Sequence, residues 1–334
     1  MAGTFSNRIV HDVPDPHLSH LAKIQDALVA WFAEHGRDLP WRHTRDPWRI
    51  LVSEIMLQQI QVARAIPFYE TFIERFPTVQ ALADAPLADA IRAWGDLGRY
   101  RRIVNLHRTA RIVVDAHDGR VPADEAVLRT LPGIGPYTAG AVACFAYGTD
   151  TGFIDTNMRR VLHRLFVGPD VPEPIVTDRV LRALAVAAVP TGRSWDWNQG
   201  LMDFGAGVCT ARKPNCDRCP IAIYCRAKPS IRAALDTVPR KPAGAAPRYD
   251  TTNRYYRGRV LAELRALPAA PTEVGIPMPE LGTRVRADFR PTDLPWLQGV
   301  VDGLAKDGLA AIAEDRPTYD PGPEPLPRLR VKLP

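Results

Sequence analysis

Four of the five cysteines, Cys209, Cys216, Cys219 and Cys225, fall within 17 residues, with six, two and five residues between successive members. Thiols grouped this closely are metal ligands in character, and their spacing alone leaves a zinc ion and an iron–sulfur cluster both open. Met1 to Pro16 is polar and unlike a secretory signal, so disulfides are the poorer reading of the group. Cys144 lies in the apolar stretch Ala141 to Tyr147 and reads as a small core residue. A second feature is Leu131-Pro132-Gly133-Ile134-Gly135-Pro136-Tyr137-Thr138, which puts two glycines into a short turn. Glycine lets a backbone approach a partner closely, and amides opening the next helix can donate to a phosphate; by itself the same turn also fits a plain αα-hairpin. The third is Glu54. By composition alone a glutamate on a helix marks a solvated face, but its neighbours Val52, Ile55, Met56 and Leu57 imply partial burial, where desolvation raises a carboxyl pKa and keeps a proton available.

These residues need a helical frame. Leu21, Ile24, Leu28, Trp31 and Phe32 recur at helical steps before Gly36, and Asp46-Pro47 has the form of an N-cap and first turn for a helix carrying Ile50 to Gln61. Helical spacing continues in Ala63 to Arg75, Leu87 to Trp94, Arg101 to Ala116, Ala123 to Thr130, Tyr137 to Tyr147, Asn157 to Phe166, Val176 to Val189 and Trp197 to Val208. No run of alternating strands interrupts them, so the expectation is all-α. Half of the 32 prolines lie beyond residue 228, and Pro239 to Arg248 has the composition of a linker. Beyond it, Arg254 to Leu267 and Leu294 to Leu309 read as helices and the tail as an extended hairpin, an order that resembles a winged helix.

Composition narrows the class. The 334 residues, 46% apolar and 24% charged, suit about two or three domains with ordinary cores and exclude wholesale disorder. No apolar run reaches the roughly 18 residues needed to span a bilayer, and a cytoplasmic protein is expected. The net charge of +6 permits an anionic partner without requiring one, and arginine supplies all but six of the 43 basic residues.

The glycine turn, followed about 20 residues later by Asp155 in Phe153-Ile154-Asp155-Thr156-Asn157 and then by the four cysteines, resembles the helix-hairpin-helix DNA glycosylase superfamily in its endonuclease III and adenine glycosylase branch. Asp38-Leu39-Pro40-Trp41-Arg42 and Ser53-Glu54-Ile55-Met56-Leu57-Gln58-Gln59-Ile60-Gln61-Val62 are similar to the adenine DNA glycosylase family in particular. The resemblance covers about residues 20 to 228. It implies an all-α, two-lobed fold: a six-helix barrel lobe at 40–148 with the hairpin, a cluster lobe made of 17–39 and 149–228, a linker at 229–248, and a small C-terminal domain at 249–334.

The resemblance also implies a [4Fe-4S] cluster on Cys209, Cys216, Cys219 and Cys225, and duplex DNA carrying a mismatch or an oxidised guanine as partner, bound by a monomer associated with the nucleoid. Glu54 would protonate adenine at N7, and Asp155 would stabilise the oxocarbenium sugar. Tyr137 and Asn157 would position Asp155, and Trp41, Arg42, Leu57, Gln199 and Asp203 would line the pocket of the flipped base. DNA contacts would come from Gln58, from Gln59 filling the vacated gap, from Arg99, from Gly133, Gly135 and Thr138 of the hairpin, and from Arg212 and Lys213 in the cluster loop. Bifunctional relatives carry a lysine nucleophile where this chain has Tyr137, which implies base removal with little or no strand cleavage.

Two departures concern the opposing base. Family members of full length carry a C-terminal domain that recognises 8-oxoguanine; about 90 residues after the linker are too few for that fold. The family's Gly-Leu-Gly-Tyr-Tyr is here Asp96-Leu97-Gly98-Arg99-Tyr100, with Arg99 in place of the tyrosine that wedges beside the lesion. A thymine or uracil glycosylase acting opposite guanine is therefore the alternative expectation, since archaeal members share Tyr137, Asp155, the cysteines, a Glu at position 54 and a segment like Pro40 to Pro47. The Gln58-Gln59 pair favours adenine. A non-catalytic iron–sulfur protein that binds DNA is the reading from a different class, and the retention of both Glu54 and Asp155 argues against it.

Overall fold

A computed structural model describes residues 20–239, 248–268, 275–314 and 329–334. In chain order the main helices are α1 (Leu21–His35), α2 (Pro47–Leu57), α3 (Val62–Arg75), α4 (Val79–Asp84), α5 (Leu87–Trp94), α6 (Arg101–Ala116), α7 (Glu125–Leu128) and α8 (Pro136–Tyr147). They continue as α9 (Thr156–Phe166), α10 (Asp178–Ala187), α11 (Ser194–Gly207), α12 (Ile231–Asp236) and α13 (Asn253–Ala266). The strand β1 (Ile276–Pro277), α14 (Met278–Val285), α15 (Leu294–Lys306), and strands β2 (Ala311–Glu314) and β3 (Leu329–Lys332) complete the chain. The protein is all-α, with one small antiparallel sheet of order β1-β3-β2 among the described residues. Residues 240–247 of the expected linker lie outside the described residues.

The chain forms two compact units. Of the described residues, the first comprises 20–51, 123–130 and 134–239, and the second 52–122, 131–133, 248–268, 275–314 and 329–334. In the first, α1 packs on α11 and α11 on α9, around Leu28, Phe32, Trp197, Leu201 and Phe204, all buried. Cys144 is fully buried in α8, as its apolar surroundings required. In the second, α4 and α5 pack on α6, with Leu82, Ile91, Trp94, Ile103 and Leu106 at the centre. The C-terminal helices α13, α14 and α15 pack on one another in this unit.

Local signals explain most boundaries. Asp46 caps α2 by accepting from the amides of Trp48 and Arg49, with Pro47 in the first turn. Thr78 caps α4 through the amide of Ala81, and Asp124 caps α7 through Val127. Several helix ends shift from expectation, α7 shrinking to Glu125–Leu128, α11 starting at Ser194 and α15 ending at Lys306, and the one with a visible cause is α2, which ends at Leu57, not Gln61. The cause is Arg102 on α6, buried at 8% exposure, which donates to the carbonyls of Ile55, Met56 and Gln58 at 2.8 to 2.9 Å. A guanidinium on the last carbonyls satisfies the helix end and its negative dipole, so the chain turns away there. Gln59 then takes φ of +59°, in the left-handed region.

Candidate active site

Asp155 is placed by the start of α9. Its carboxylate accepts from the Met158 amide at 2.6 Å and from the Asn157 side chain at 3.1 Å, so the residue that caps the helix is also held in one orientation by it. Burial pushes its pKa up, and the donated hydrogen bonds together with Arg160 offset only part of that rise. Tyr137 opens α8 beneath this segment: its ring meets Phe153 edge-on at 5.4 Å, and Phe153 also packs on Phe145. Gly140 makes room, since a Cβ there would lie 2.9 Å from Phe153.

Asn157 is held in turn. Arg160 donates to its Oδ1 at 2.8 Å, to the Gly205 carbonyl at 2.6 Å and to the Cys209 carbonyl at 2.6 Å. Arg164, one turn further along α9 and 2% exposed, donates to the Thr210 and Ala211 carbonyls and lies 3.7 Å from Cys209 Sγ. A single helix face, Asn157, Arg160 and Arg164, thus joins the Asp155 carboxylate to the cysteine loop. Sequence reading missed both arginines because arginine on a helix ordinarily marks a solvated face. Their spacing from Asn157, three and seven residues, was the available signal.

All four cysteines line one otherwise largely apolar cavity with Arg164, Leu165, Phe204 and Ile221. Burial raises the Cys209 and Cys225 thiols and pushes Cys219 up to about 12, and neighbouring cysteines oppose ionisation further. Such a donor set, four thiols in one largely apolar cavity, needs a metal centre to hold them as thiolates, and a cluster with thiolate ligands supplies one. The residues therefore fit an iron–sulfur cluster. Arg212 and Lys213 sit exposed on the same loop.

The expected base-pocket residues Arg42, Gln199 and Asp203 do meet, all in the first unit. Arg42 grips Asp203 bidentately at 2.8 and 3.0 Å and donates to Gln199 Oε1 at 2.8 Å. Arg37 supplies three further bonds to Asp203, from its backbone amide and its guanidinium. Burial would raise the Asp203 pKa, but the hydrogen bonds from Arg42 and Arg37 override it and hold the carboxyl below its ordinary value. Arg37 was not anticipated, although it stands only five residues before Arg42. Trp41 is buried beside this network in sequence, at 6% exposure.

Glu54 and Leu57 belong to the second unit. Glu54 is 3% exposed among Val52, Ser53, Ile55 and Met56, as its apolar neighbours implied. Gln58 and Gln59 are not on a helix face; they form the turn after α2 and line one cavity with Arg99, which also has a left-handed φ of +50°. Left-handed non-glycine residues are costly and are kept where the surroundings demand them. Arg102 ties the two segments together, since besides capping α2 it donates to the Gly98 carbonyl at 3.2 Å. Burial, and then the charge of Arg99, bring its pKa down to about 10. In the hairpin Gly133 has φ of +78° and a Cβ there would lie 3.0 Å from Asn105, so both freedom and closeness require glycine. Gly135 is exposed at the start of α8 and Thr138 is buried.

A buried carboxyl, a helix-capping aspartate, a glycine hairpin and a four-cysteine loop on an all-α frame are the features of the helix-hairpin-helix class of base excision glycosylases. Residues 52–185 match the HhH-GPD superfamily of base excision DNA repair proteins, and residues 209–225 match the iron-sulfur binding domain of endonuclease III. The adenine DNA glycosylase of Mycolicibacterium smegmatis is 40% identical over 296 residues, covering 88% of this chain and 97% of that protein. The chain belongs to the adenine DNA glycosylase family: a DNA glycosylase with a [4Fe-4S] cluster. The thymine/uracil-DNA glycosylase of Methanothermobacter thermautotrophicus is 34% identical over 203 residues, 60% of this chain and 91% of that protein. A solved thermostable thymine-DNA glycosylase superposes with a TM-score of 0.60 at 31% identity, over 65% of this chain and all of that one.

Proposed function

We propose that this protein removes adenine mispaired with 8-oxoguanine or guanine by hydrolysing its N-glycosidic bond, and leaves the DNA strand intact. The observation that carries the reading is the pair of carboxyl groups in contrasting settings, Glu54 buried at 3% exposure and Asp155 fixed by Asn157 and Met158. Adenine is a poor anionic leaving group. Glu54 gives a proton to N7, so that the electron pair of the breaking bond passes into a neutral purine. Asp155, ionised, stabilises the positive charge left on the sugar. Water then adds to the anomeric carbon and returns its proton to the Glu54 carboxylate. Tyr137 stands where bifunctional relatives have lysine, so no amine is present there to form the Schiff base that strand cleavage uses.

Duplex entry is assigned to Gln58, Gln59 and Arg99, with the hairpin residues Gly133 and Gly135 and the loop residues Arg212 and Lys213 on the phosphate backbone, while Thr138, at 2% exposure, packs the hairpin from inside. Trp41, Arg42, Leu57, Gln199 and Asp203 frame the flipped base. The cluster's part is structural: Cys209, Cys216, Cys219 and Cys225 hold it, and it gives the loop a fixed form.

The test is single-turnover excision on labelled duplexes with adenine opposite 8-oxoguanine or guanine, and thymine or uracil opposite guanine, followed by alkali. Faster loss of adenine supports the proposal. Faster loss of thymine or uracil would move the chain to the reading that the 34% identity with the thymine/uracil enzyme favours, and would remove the acid role from Glu54.

A further inference from the structure

The second unit contains a cavity of about 610 Å³ that the glycosylase residues only half account for. One wall is the Gln58-Gln59 turn and the segment Arg99 to Arg102. The other comes from the C-terminal domain: Arg254 and Arg257 on α13, and Asp307 after α15. Five guanidiniums therefore border a space that holds one carboxylate. Asp307 is already engaged, with Arg257 at 2.5 Å and Arg101 at 3.8 Å, so Arg99 and Arg254 keep the site strongly positive.

The wall is seated. α13 packs beside α5, and the Arg265 guanidinium lies over the Tyr100 ring at 5.6 Å, one residue from Arg99. A Cβ at Gly308 would be 3.5 Å from Val104 of α6. The domain is thus fitted against the loop and helix that carry Arg99 and Arg101, and the helix it presents there, α13, carries Arg254, Arg257 and Arg265.

We propose that Arg254 and Arg257 form a phosphate clamp for the strand opposite the excised base, so that this C-terminal domain serves duplex binding by charge instead of reading a lesion. Planar guanidiniums match phosphate oxygens bidentately, and a cavity of this width with a single carboxylate suits a polyanion better than a base edge. The cavity begins at the Gln59 turn, so a strand parted by that turn continues past Arg99 towards α13. The assignment rests on the reading of Gln59 as the residue that enters the duplex. It does not depend on which base is removed.

The experiment is the salt dependence of duplex affinity, measured with the full chain in an Asp155→Asn background on an undamaged duplex and on duplexes with adenine opposite 8-oxoguanine or guanine. Each lost phosphate contact lowers the slope of log K against log salt by about 0.9, so R254A should lose about one unit and R254A/R257A about two. Affinity of the double variant at 0.1 M salt falls on the order of ten- to a hundredfold, equally on all three duplexes. Asp307→Asn should bind more tightly. Arg284→Ala, which removes an arginine held by Glu280 and Glu263 elsewhere in the same domain, should leave the slope alone.

An unchanged slope in R254A/R257A overturns the proposal, as does an equal loss in Arg284→Ala, which would make the effect one of overall charge. Loss confined to one opposing base would make the arginines base readers and also overturn it. Since every readout here is binding, an enzyme that proves to excise thymine would sink the adenine reading and leave this result standing.

Discussion

The face of α9 and the arginine cavity use the same residue type in opposite ways. Along α9, Arg160 and Arg164 are buried at 8% and 2% exposure, and both spend their donors on protein acceptors: Asn157, Gly205 and Cys209 for one, and Asp170, Thr210 and Ala211 for the other. Around the cavity Arg99, Arg101 and Arg254 are exposed, the backbone is left-handed at Gln59 and Arg99, and one carboxylate serves the group. Buried guanidiniums with satisfied donors fix geometry, whereas exposed ones with a charge surplus await an anion. The chemistry therefore belongs with the first region and affinity with the second. Substitutions in one should move the rate, and in the other the salt slope.

The sharpest separation is expected from Asp155→Asn. Loss of the ionised carboxylate should cut the single-turnover rate by about a thousandfold while duplex affinity stays within a few fold, since the amide still accepts from Met158. A comparable loss of binding would break the comparison. Next comes Arg160→Ala, which strands the Asn157, Gly205 and Cys209 acceptors together. It should cost about 2 to 4 kcal/mol of stability by thermal unfolding, lower the rate about ten- to a hundredfold, and bleach cluster absorbance faster in air. Retained cluster absorbance with an unaltered rate would show that α9 does not couple the loop to Asp155.

Much of this was legible because local physics carries it. The bounds of α5 and α6 agree with the apolar spacing of Leu87 to Trp94 and Arg101 to Ala116, and the burial of Glu54 follows from its neighbours. The four cysteines announced a metal site by spacing alone, but only resemblance selected iron and sulfur. What escaped was tertiary. The end of α2 is set by Arg102, far along the chain, and the helical pattern through Gln61 gives no hint of it. α4 is too short, at six residues, for periodicity to declare, although Thr78 was a readable cap. Arg37, Arg160 and Arg164 look like surface residues until the fold buries or pairs them.

Asn157→Ala is a milder probe of the α9 region, and its signature is a pH profile. Burial already raises the Asp155 pKa, and Asn157 is one of the donors opposing that rise. Ionised Asp155 is the active form, so the acid limb of the rate profile should lie above the ordinary carboxylate range, with activity lost as pH falls through the raised pKa. Removing the Asn157 donor should push that limb higher still and lower the plateau about tenfold. A limb that stays in place would mean that Asp155 does not govern it.

The smallest effect is expected at the cavity, from Arg99→Tyr. Position 99 has φ of +50° whichever of the two side chains occupies it, so the change adds little backbone strain of its own. It removes one exposed guanidinium from the wall shared with Arg254 and Arg257, so the salt slope of duplex affinity should fall by about one. It also restores an aromatic face beside the Gln59 turn. Stacking on a base is worth about 1 to 3 kcal/mol, and because the opposing base gains it in either duplex, only the difference between 8-oxoguanine and guanine should show, a few fold in the excision ratio. A lower slope with no change in ratio would leave Arg99 as a phosphate contact alone and make the cavity a uniform electrostatic surface. A changed ratio at constant slope would instead place Arg99 on the base, and the line between a region that reads charge and one that does chemistry would have to be redrawn at that residue.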